Sequence, residues 1–117
     1  MALHRLAAEP THSVWDRSLP PRLHIAPGDE VHFECVDASG SQVRPGMSTA
    51  DYLTIDRTRI HALTGPVWIN GAEPGDVLQV DILATRHHGW GVVQHRRGPW
   101  PPQGSVPRAL SLPLGPR

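Results

Sequence analysis

The stretch GPVWINGAEPGD, residues 65–76, ends in the tripeptide Pro74-Gly75-Asp76, and the same tripeptide occurs earlier as Pro27-Gly28-Asp29. Proline suits the second position of a tight turn, and glycine readily supplies the positive φ that can follow it. Each tripeptide follows a short apolar run and precedes an alternation of apolar and polar residues. We therefore predict that one unit, a strand, a turn and a second strand, occurs twice, with each turn at the corner of a β-hairpin.

The alternations after the two turns have period two, which is typical of a half-buried strand. In both alternations the apolar residues fall on one face of the expected strand: Val31, Phe33, Cys35, Leu78, Val80 and Ile82. We expect strands at four places: residues 22–26, 31–37, 66–70 and 77–86. This placement makes Cys35 a buried, inert thiol rather than a nucleophile.

A short helix is expected between the two units. Ser48 is a preferred N-cap residue, and Asp51 stands three residues later, where a carboxylate can bond back to the cap. The helix is expected over residues 49–56, within a chain that is otherwise mainly β.

The last segment, residues 94–117, differs from the rest in composition. It contains six of the thirteen prolines and four of the eleven arginines, and no acidic residue. Such a composition buries little apolar area, so we expect a disordered Pro/Arg-rich tail after a β region over residues 1–93. The tail is either a proline-rich segment that binds partners or the product of a frameshift or premature end in a GC-rich gene.

Composition also limits the partners and the compartment. Eleven acidic residues balance eleven basic ones, which argues against a surface for nucleic acid or for an anionic membrane. No run approaches the roughly eighteen apolar residues of a membrane-spanning helix. The single cysteine has no partner for an internal disulfide, which fits a reducing cytoplasm.

Two longer segments carry a resemblance to a known family. They are VWDRSLPPRLHIAPGDEVHFECVDASGSQ, residues 14–42, and STADYLTIDRTRIHALTGPVWINGAEPGDVLQVDIL, residues 48–83. Their spaced motifs resemble the N-terminal part of the acetamidase/formamidase family over roughly residues 12–93. The resemblance implies a partial β-sandwich or barrel, the N-terminal half of the family's fold, and hydrolysis of short linear amides to acid and ammonia. It also implies that the β region is an incomplete domain, and that the chain is a truncated fragment, inactive alone.

The chain contains no lysine, which restricts the chemistry that it can perform. Three amidase designs need a lysine: the Glu-Lys-Cys site, the Ser-Ser-Lys site and the bimetal site with a carbamylated lysine. These three are excluded for this chain acting alone. Carboxylate and histidine chemistry remains, with or without a metal. The resemblance leaves open whether the full-length family uses a divalent metal such as zinc.

Four residues are candidates for the catalytic site: Asp37, His61, Asn70 and Glu73. Asp37 either caps an Asx-turn or presents a carboxylate at the rim of the barrel. His61 is either a hydrogen-bonded structural residue or a metal ligand or proton carrier. Asn70 either belongs to a turn or donates to an oxyanion. Glu73 is either a solvated turn charge or a catalytic carboxylate.

The expected partner is a small amide substrate, and the full-length protein is expected to be a cytoplasmic homo-oligomer without nucleic-acid or membrane partners. The alternative is a non-catalytic β-sandwich that serves as a binding or structural module. A copper-binding version of that module is disfavoured, because Cys35 comes early and no histidine or methionine follows it within ten residues.

Overall fold

The computed structural model describes residues 1–96 and 107–113, with side chains described up to Val93. Over these residues the chain is mainly β with one short α-helix, which confirms the expected class. In chain order the elements are β1 (Leu3–Leu6), β2 (Thr11–His12), β3 (Leu23–Ile25), β4 (Glu30–Phe33), α1 (Thr49–Tyr52), a 3-10 turn (Arg57–Arg59), β5 (Leu63–Thr64), β6 (Val67–Ile69), β7 (Trp90–Arg96) and β8 (Pro107–Pro113).

The chain divides into two compact units. The first unit consists of residues 1–42 and 56–79 and contains β1 to β6 and the 3-10 turn. The second unit consists of residues 43–55 and the chain from Val80 onward, and it contains α1, β7 and β8. Buried side chains are few in both: Leu6 and Ser39 in the first unit, and Val43 and Tyr52 in the second, are less than a tenth exposed.

Three two-stranded ladders build the first unit. β1 pairs in parallel with β4, β2 pairs antiparallel with β5, and β3 pairs in parallel with β6. The turn Pro27-Gly28-Asp29 therefore joins strands of two different ladders, so the prediction that it forms a hairpin corner is wrong. The physical reason is the turn type, since a type II turn splays its flanking strands, whereas tight hairpins use the primed turns that match strand twist.

The two repeated turns nevertheless have the same local geometry, as the sequence predicts. The φ angle is 87° at Gly28 and 98° at Gly75. In the first turn the N–H of Asp29 donates to the Ala26 carbonyl oxygen over 3.1 Å, and the equivalent bond in the second turn is 3.0 Å. The aspartate carboxylate of each turn also accepts from the N–H of the first turn residue, at 3.0 and 2.9 Å. In each turn proline takes the second position, glycine adopts the positive φ, and the aspartate carboxylate bonds back to the first residue.

Asp29 also ties the first turn to β1. Its carboxylate accepts from the backbone N–H of Ala2 at 2.9 Å and lies 2.9 Å from Nε2 of His4. These bonds lower the pKa of Asp29 to about 2, with the Ala2 N–H as the largest cause, followed by His4 and the N–H of Ala26. Each bond favours the ionised carboxylate. An ionised Asp29 therefore adds side-chain bonds to the backbone ladder that joins β1 to β4.

The helix begins where the sequence predicts and ends early. The hydroxyl of Ser48 accepts from the N–H of Asp51 at 3.0 Å, which confirms the N-cap. α1 ends at Tyr52 rather than near residue 56, and the N–H of Thr54 donates to the Asp51 carbonyl oxygen in a tighter turn. The Thr54 hydroxyl bonds to the same oxygen at 2.7 Å, which competes with continuation of the helix. In the described part of the chain, no helix has the length and apolar character needed to cross a membrane.

The expected strand over residues 77–86 does not form. These residues have no regular structure, and their apolar side chains are largely exposed: Val77, Leu78, Val80, Ile82 and Leu83. Alternation decides which face each side chain takes, but a strand exists only where it bonds to the backbone of a partner strand. None of the four ladders in the described residues includes this segment.

The placement of Cys35 also differs from the expectation. β4 covers Glu30–Phe33 instead of residues 31–37, so Cys35 follows the strand instead of lying within it. Its thiol is exposed, and the prediction of a buried thiol is wrong. Phe33 is itself 44% exposed, because the apolar face of β4 is only partly covered at its end.

Part of the segment expected to be a disordered tail lies in a hairpin. β7 and β8 pair antiparallel, from Trp90 opposite Pro113 to Arg96 opposite Pro107. Residues 94–96 and 107–113 of the expected tail take part in this pairing, and the expectation of a disordered tail stays a prediction. The other residues of the expected tail, 97–106 and 114–117, lie outside the described residues.

Candidate functional site

Asp37 organises the loop that follows β4. Its carboxylate accepts from the N–H and the hydroxyl of Ser39 and from the N–H of Ser41, the last at 2.8 Å. The Asp37 carbonyl oxygen accepts from the N–H of Gly40 at 3.0 Å. Gly40 and Ser41 both have left-handed backbone, with φ of 71° and 67°. These bonds are those of an Asx-turn, so the carboxylate of Asp37 shapes this loop.

His61 lies against the same loop. Its N–H donates to the Ala38 carbonyl oxygen at 2.6 Å, and its own φ of 56° is in the left-handed region. The residue is exposed. Arg59, two residues earlier, donates from Nη2 to the Gly40 carbonyl oxygen at 3.3 Å. These two bonds tie the 3-10 turn and the residues after it to the Asp37 loop, so the backbone of His61 lies beside that loop.

The Gln42 side chain bonds to the backbone of Asp56 at the end of this loop. The Gln42 amide accepts from the Asp56 N–H at 2.7 Å and donates to the Asp56 carbonyl oxygen at 2.9 Å. Asp56 in turn caps the 3-10 turn, because its carboxylate accepts from the hydroxyl and the N–H of Thr58. Those bonds lower the pKa of Asp56, with the Thr58 hydroxyl as the largest cause. Two loops from distant parts of the sequence are thus joined by specific bonds.

Asn70 and Glu73 belong to a different part of the first unit. The N–H of Asn70 donates to the Ile25 carbonyl oxygen at 2.8 Å and so extends the β3–β6 ladder. The N–H of Glu73 donates to the Asp76 carboxylate at 2.9 Å, inside the second Pro-Gly-Asp turn. Both residues are exposed. The structure thus brings two of the four candidates together at the Asp37 loop and places the other two at the second turn.

An open cleft of about 420 Å³ lies beside the Asp37 loop, within the first unit. Its walls come from the β2 region, from the end of β4 with its loop, and from the 3-10 turn. The polar side chains that line it are Glu9, Thr11, His12, Ser13, Thr58 and Arg59. Val14, Val36 and Gly40 complete the lining. None of these residues was predicted from the sequence, because β2 is two residues long and shows no alternation that would place it.

The donor groups of this region do not fit a metal centre. Among the described residues, no three His, Cys, Asp or Glu side chains converge in a way that could hold a metal ion.

Comparison with known proteins shows which family the chain is similar to. The sequence model of the Acetamidase/Formamidase family matches residues 3–97. The formamidase of Methylophilus methylotrophus is 43% identical over 72 residues, which are 62% of this chain and 18% of that protein. A putative formamidase of Schizosaccharomyces pombe is 45% identical over 71 residues, 61% of this chain and 17% of that protein. The acetamidase of Mycolicibacterium smegmatis is 38% identical over 76 residues, 65% of this chain and 19% of that protein.

The fold agrees with the same assignment. The crystal structure of an acetamidase from Bacillus halodurans superposes with a TM-score of 0.74 and 26% identity, over 94% of this chain and 42% of that one. The chain spans less than a fifth of the length of the curated relatives that it matches. The family match covers most of the chain, and the resemblance carried by its motifs is confirmed: this chain belongs to the acetamidase/formamidase family.

Proposed function

We propose that this chain is part of a hydrolase of short linear amides, such as formamide or acetamide. The observation that carries the proposal is the family match over residues 3–97, supported by the likeness to a solved acetamidase. In this reaction a water oxygen bonds to the carbonyl carbon, the C–N bond breaks, and the nitrogen leaves as ammonia after it gains a proton. The reaction needs a group that moves a proton and a donor for the oxyanion.

Asp37 and His61 are the best supported of the four candidate residues, because the hydrogen bonds described above join their loops. We assign the imidazole of His61 to proton transfer, since histidine changes its protonation most readily near neutral pH. We assign Asp37 a positioning role, because its carboxylate is engaged by Ser39 and Ser41. Asn70 as an oxyanion donor and Glu73 as a carboxylate base complete the proposed set.

The 117-residue chain is proposed to be inactive by itself. The matched segment is less than a fifth of each curated relative, so we expect the longer protein to supply further groups to the site. Catalytic groups that act as one unit lose nearly all their effect when the unit is incomplete.

The expectation of a homo-oligomer stays a prediction for the longer protein, and light scattering would measure its oligomeric state.

The test is ammonia release from formamide and acetamide by two proteins. One is the 117-residue chain, and the other is a chimaera in which this chain replaces the matching segment of the Bacillus halodurans acetamidase. We expect no release above background from the short chain and clear release from the chimaera. In the chimaera, Asp37→Ala and His61→Ala should each lower kcat/KM at least about tenfold, a loss of about 1.4 kcal/mol in transition-state stabilisation.

The control is His32→Ala, which removes an exposed imidazole from β4 and should leave the rate unchanged. Turnover by the short chain would refute the claim of inactivity. A folded chimaera that releases no ammonia would refute the amidase proposal. A chimaera indifferent to both substitutions would refute the site while the amidase proposal stands.

A further inference from the structure

Asn70 is the only asparagine in the chain, and the residue that follows it is a glycine. The backbone nitrogen after an asparagine can attack the side-chain amide carbon of that asparagine and close a five-membered ring. Glycine obstructs this closure least, because it has no Cβ and its backbone adopts many conformations. Asn70-Gly71 is therefore the pair in this sequence at which such a ring forms most readily.

The structure leaves both reacting groups of this pair accessible. Asn70 and Gly71 are exposed, and so is every residue from there to Gln79. In the described part of the chain, no hydrogen bond engages the Asn70 side chain or the Gly71 N–H. A Cβ atom built on Gly71 would meet nothing within 4 Å, so the space around its Cα is open.

The side-chain amide of Gln42 shows the opposite arrangement in the same unit. It donates to the carbonyl oxygens of Ser39 and Asp56 and accepts from the Asp56 N–H, at distances between 2.7 and 2.9 Å. An amide bonded in this way is held away from its own backbone. Within the described residues the Asn70 amide has no such bonds, so it can rotate toward the Gly71 nitrogen.

The backbone of the pair is held firmly only on its N-terminal side. The N–H of Asn70 donates to the Ile25 carbonyl oxygen at 2.8 Å, whereas the turn itself is closed by a longer bond of 3.2 Å from the Ala72 N–H to the Ile69 carbonyl oxygen. Short-range bonds in exposed chain open at little free-energy cost. The Gly71 peptide can therefore turn toward the Asn70 side chain without disrupting the β3–β6 ladder.

We propose that Asn70-Gly71 is a site of spontaneous deamidation in the folded chain, with water as the only co-reactant. The Gly71 nitrogen loses its proton and bonds to the side-chain amide carbon of Asn70. The bond from that carbon to the side-chain nitrogen breaks, and the nitrogen takes up the proton and leaves as ammonia. Water then opens the succinimide ring: attack at the side-chain carbonyl gives aspartate, and attack at the backbone carbonyl gives isoaspartate.

Either product changes the chemistry at position 70. A side-chain amide that can donate becomes a carboxylate that only accepts at neutral pH. Isoaspartate also routes the backbone through the side-chain carbon, which lengthens the connection between the β3–β6 ladder and the second Pro-Gly-Asp turn. The consequence for catalysis rests on the proposed function, in which Asn70 donates to the oxyanion: a deamidated molecule lacks that donor.

The test is incubation of the intact 117-residue chain at neutral and mildly alkaline pH. Mass spectrometry follows the exchange of the amide NH2 for OH, and a carboxyl methyltransferase specific for isoaspartate labels that product. Peptide mapping should place the change at residue 70, and the rate should rise with pH because the attacking nitrogen must lose its proton. The rate in the folded chain should lie within about tenfold of the rate in the chain unfolded in urea, because the fold does not protect the pair.

Substitutions then assign the reaction to the two residues. Asn70→Gln should remove the isoaspartate label, and Gly71→Ala should slow the reaction at least about tenfold, because a Cβ restricts the approach of the nitrogen. The matched control Ala72→Ser changes an exposed residue of the same turn outside the ring and should leave the rate unchanged. Urea unfolding verifies that each variant folds, and if Gly71→Ala does not fold, Asn70→Gln and the ratio of folded to unfolded rates decide.

A folded chain that deamidates more than about tenfold more slowly than the unfolded chain would overturn the proposal. A rate unaffected by Gly71→Ala, or a mass change that maps away from residue 70, would overturn it as well.

The consequence for catalysis is measured separately, in the chimaera. Its ammonia release should fall in step with deamidation at residue 70, and Asn70→Gln should end this decline with age. Full activity after complete deamidation would refute Asn70 as the oxyanion donor and leave the modification standing. A folded chimaera without ammonia release would refute the amidase proposal alone, because the mass measurement does not depend on turnover.

Discussion

Gly40→Ala perturbs a close backbone contact between the two loops of the candidate site. Gly40 has φ of 71°, and a left-handed backbone costs a residue with a Cβ about 1–2 kcal/mol. The new Cβ would lie 2.7 Å from the Arg59 carbonyl oxygen, which is too close for any carbon–oxygen contact. One backbone must therefore move, and overpacking of this kind costs about 1–3 kcal/mol. The expected loss in free energy of unfolding is about 2–5 kcal/mol.

Gly71→Ala is the matched control for this prediction. Gly71 has φ of 81°, but a Cβ added there meets nothing within 4 Å. Its expected cost is the backbone term alone, about 1–2 kcal/mol. Urea unfolding followed by tryptophan fluorescence gives both free energies, from the midpoint and the slope of each transition. Equal losses in the two variants would show that Gly40 and Arg59 do not make this contact.

Three other side chains that bond to the backbone give further predictions. Ser48→Ala should lower the free energy of unfolding by about 1 kcal/mol and reduce the helical circular dichroism signal, because it removes the N-cap of α1. Asp29→Asn should destabilise the chain at pH 7, in urea unfolding, by more than Asp76→Asn does. The pKa of Asp29 in the folded chain is lowered to about 2. Its contribution to the free energy of unfolding is therefore complete above the unfolded pKa of about 3.9 and is lost as the pH falls through 2. A difference in free energy of unfolding between wild type and variant that does not change with pH would contradict this. Arg22→Gln should cost about 2 kcal/mol and speed hydrogen exchange in the bend before β2, because the guanidinium donates to the carbonyl oxygens of Ala7, Glu9 and Pro10. Unchanged exchange there would argue against these bonds.

Features that depend on neighbouring residues could be predicted from the sequence. The N-cap at Ser48 and the Asx-turn at Asp37 involve bonds to residues two to four positions away. In such cases the residue type and its spacing fix the geometry, because the chain between the two groups is too short to separate them. The family itself was also predictable, since its motifs are spaced and ordered along the chain.

The site could be predicted only in part, because its members come from distant segments. The bond between His61 and Ala38, and that between Gln42 and Asp56, join loops that no local pattern relates. The sequence indicated His61 as a candidate for its chemistry, but gave no sign that it lies beside Asp37. The cleft residues were missed for the same reason.

The two Pro-Gly-Asp turns show that a local motif predicts a turn but does not predict whether a strand follows it. Both have the same φ at glycine and the same carboxylate bond back to the first turn residue. Asp29 additionally bonds Ala2 and His4, residues 27 and 25 positions away, and its turn feeds β4, which pairs with β1. Asp76 closes an equivalent turn, yet the alternation after it forms no strand in the described chain. The tripeptide specifies a turn, and only a partner strand converts the following alternation into β-structure, because backbone groups need a second backbone to bond.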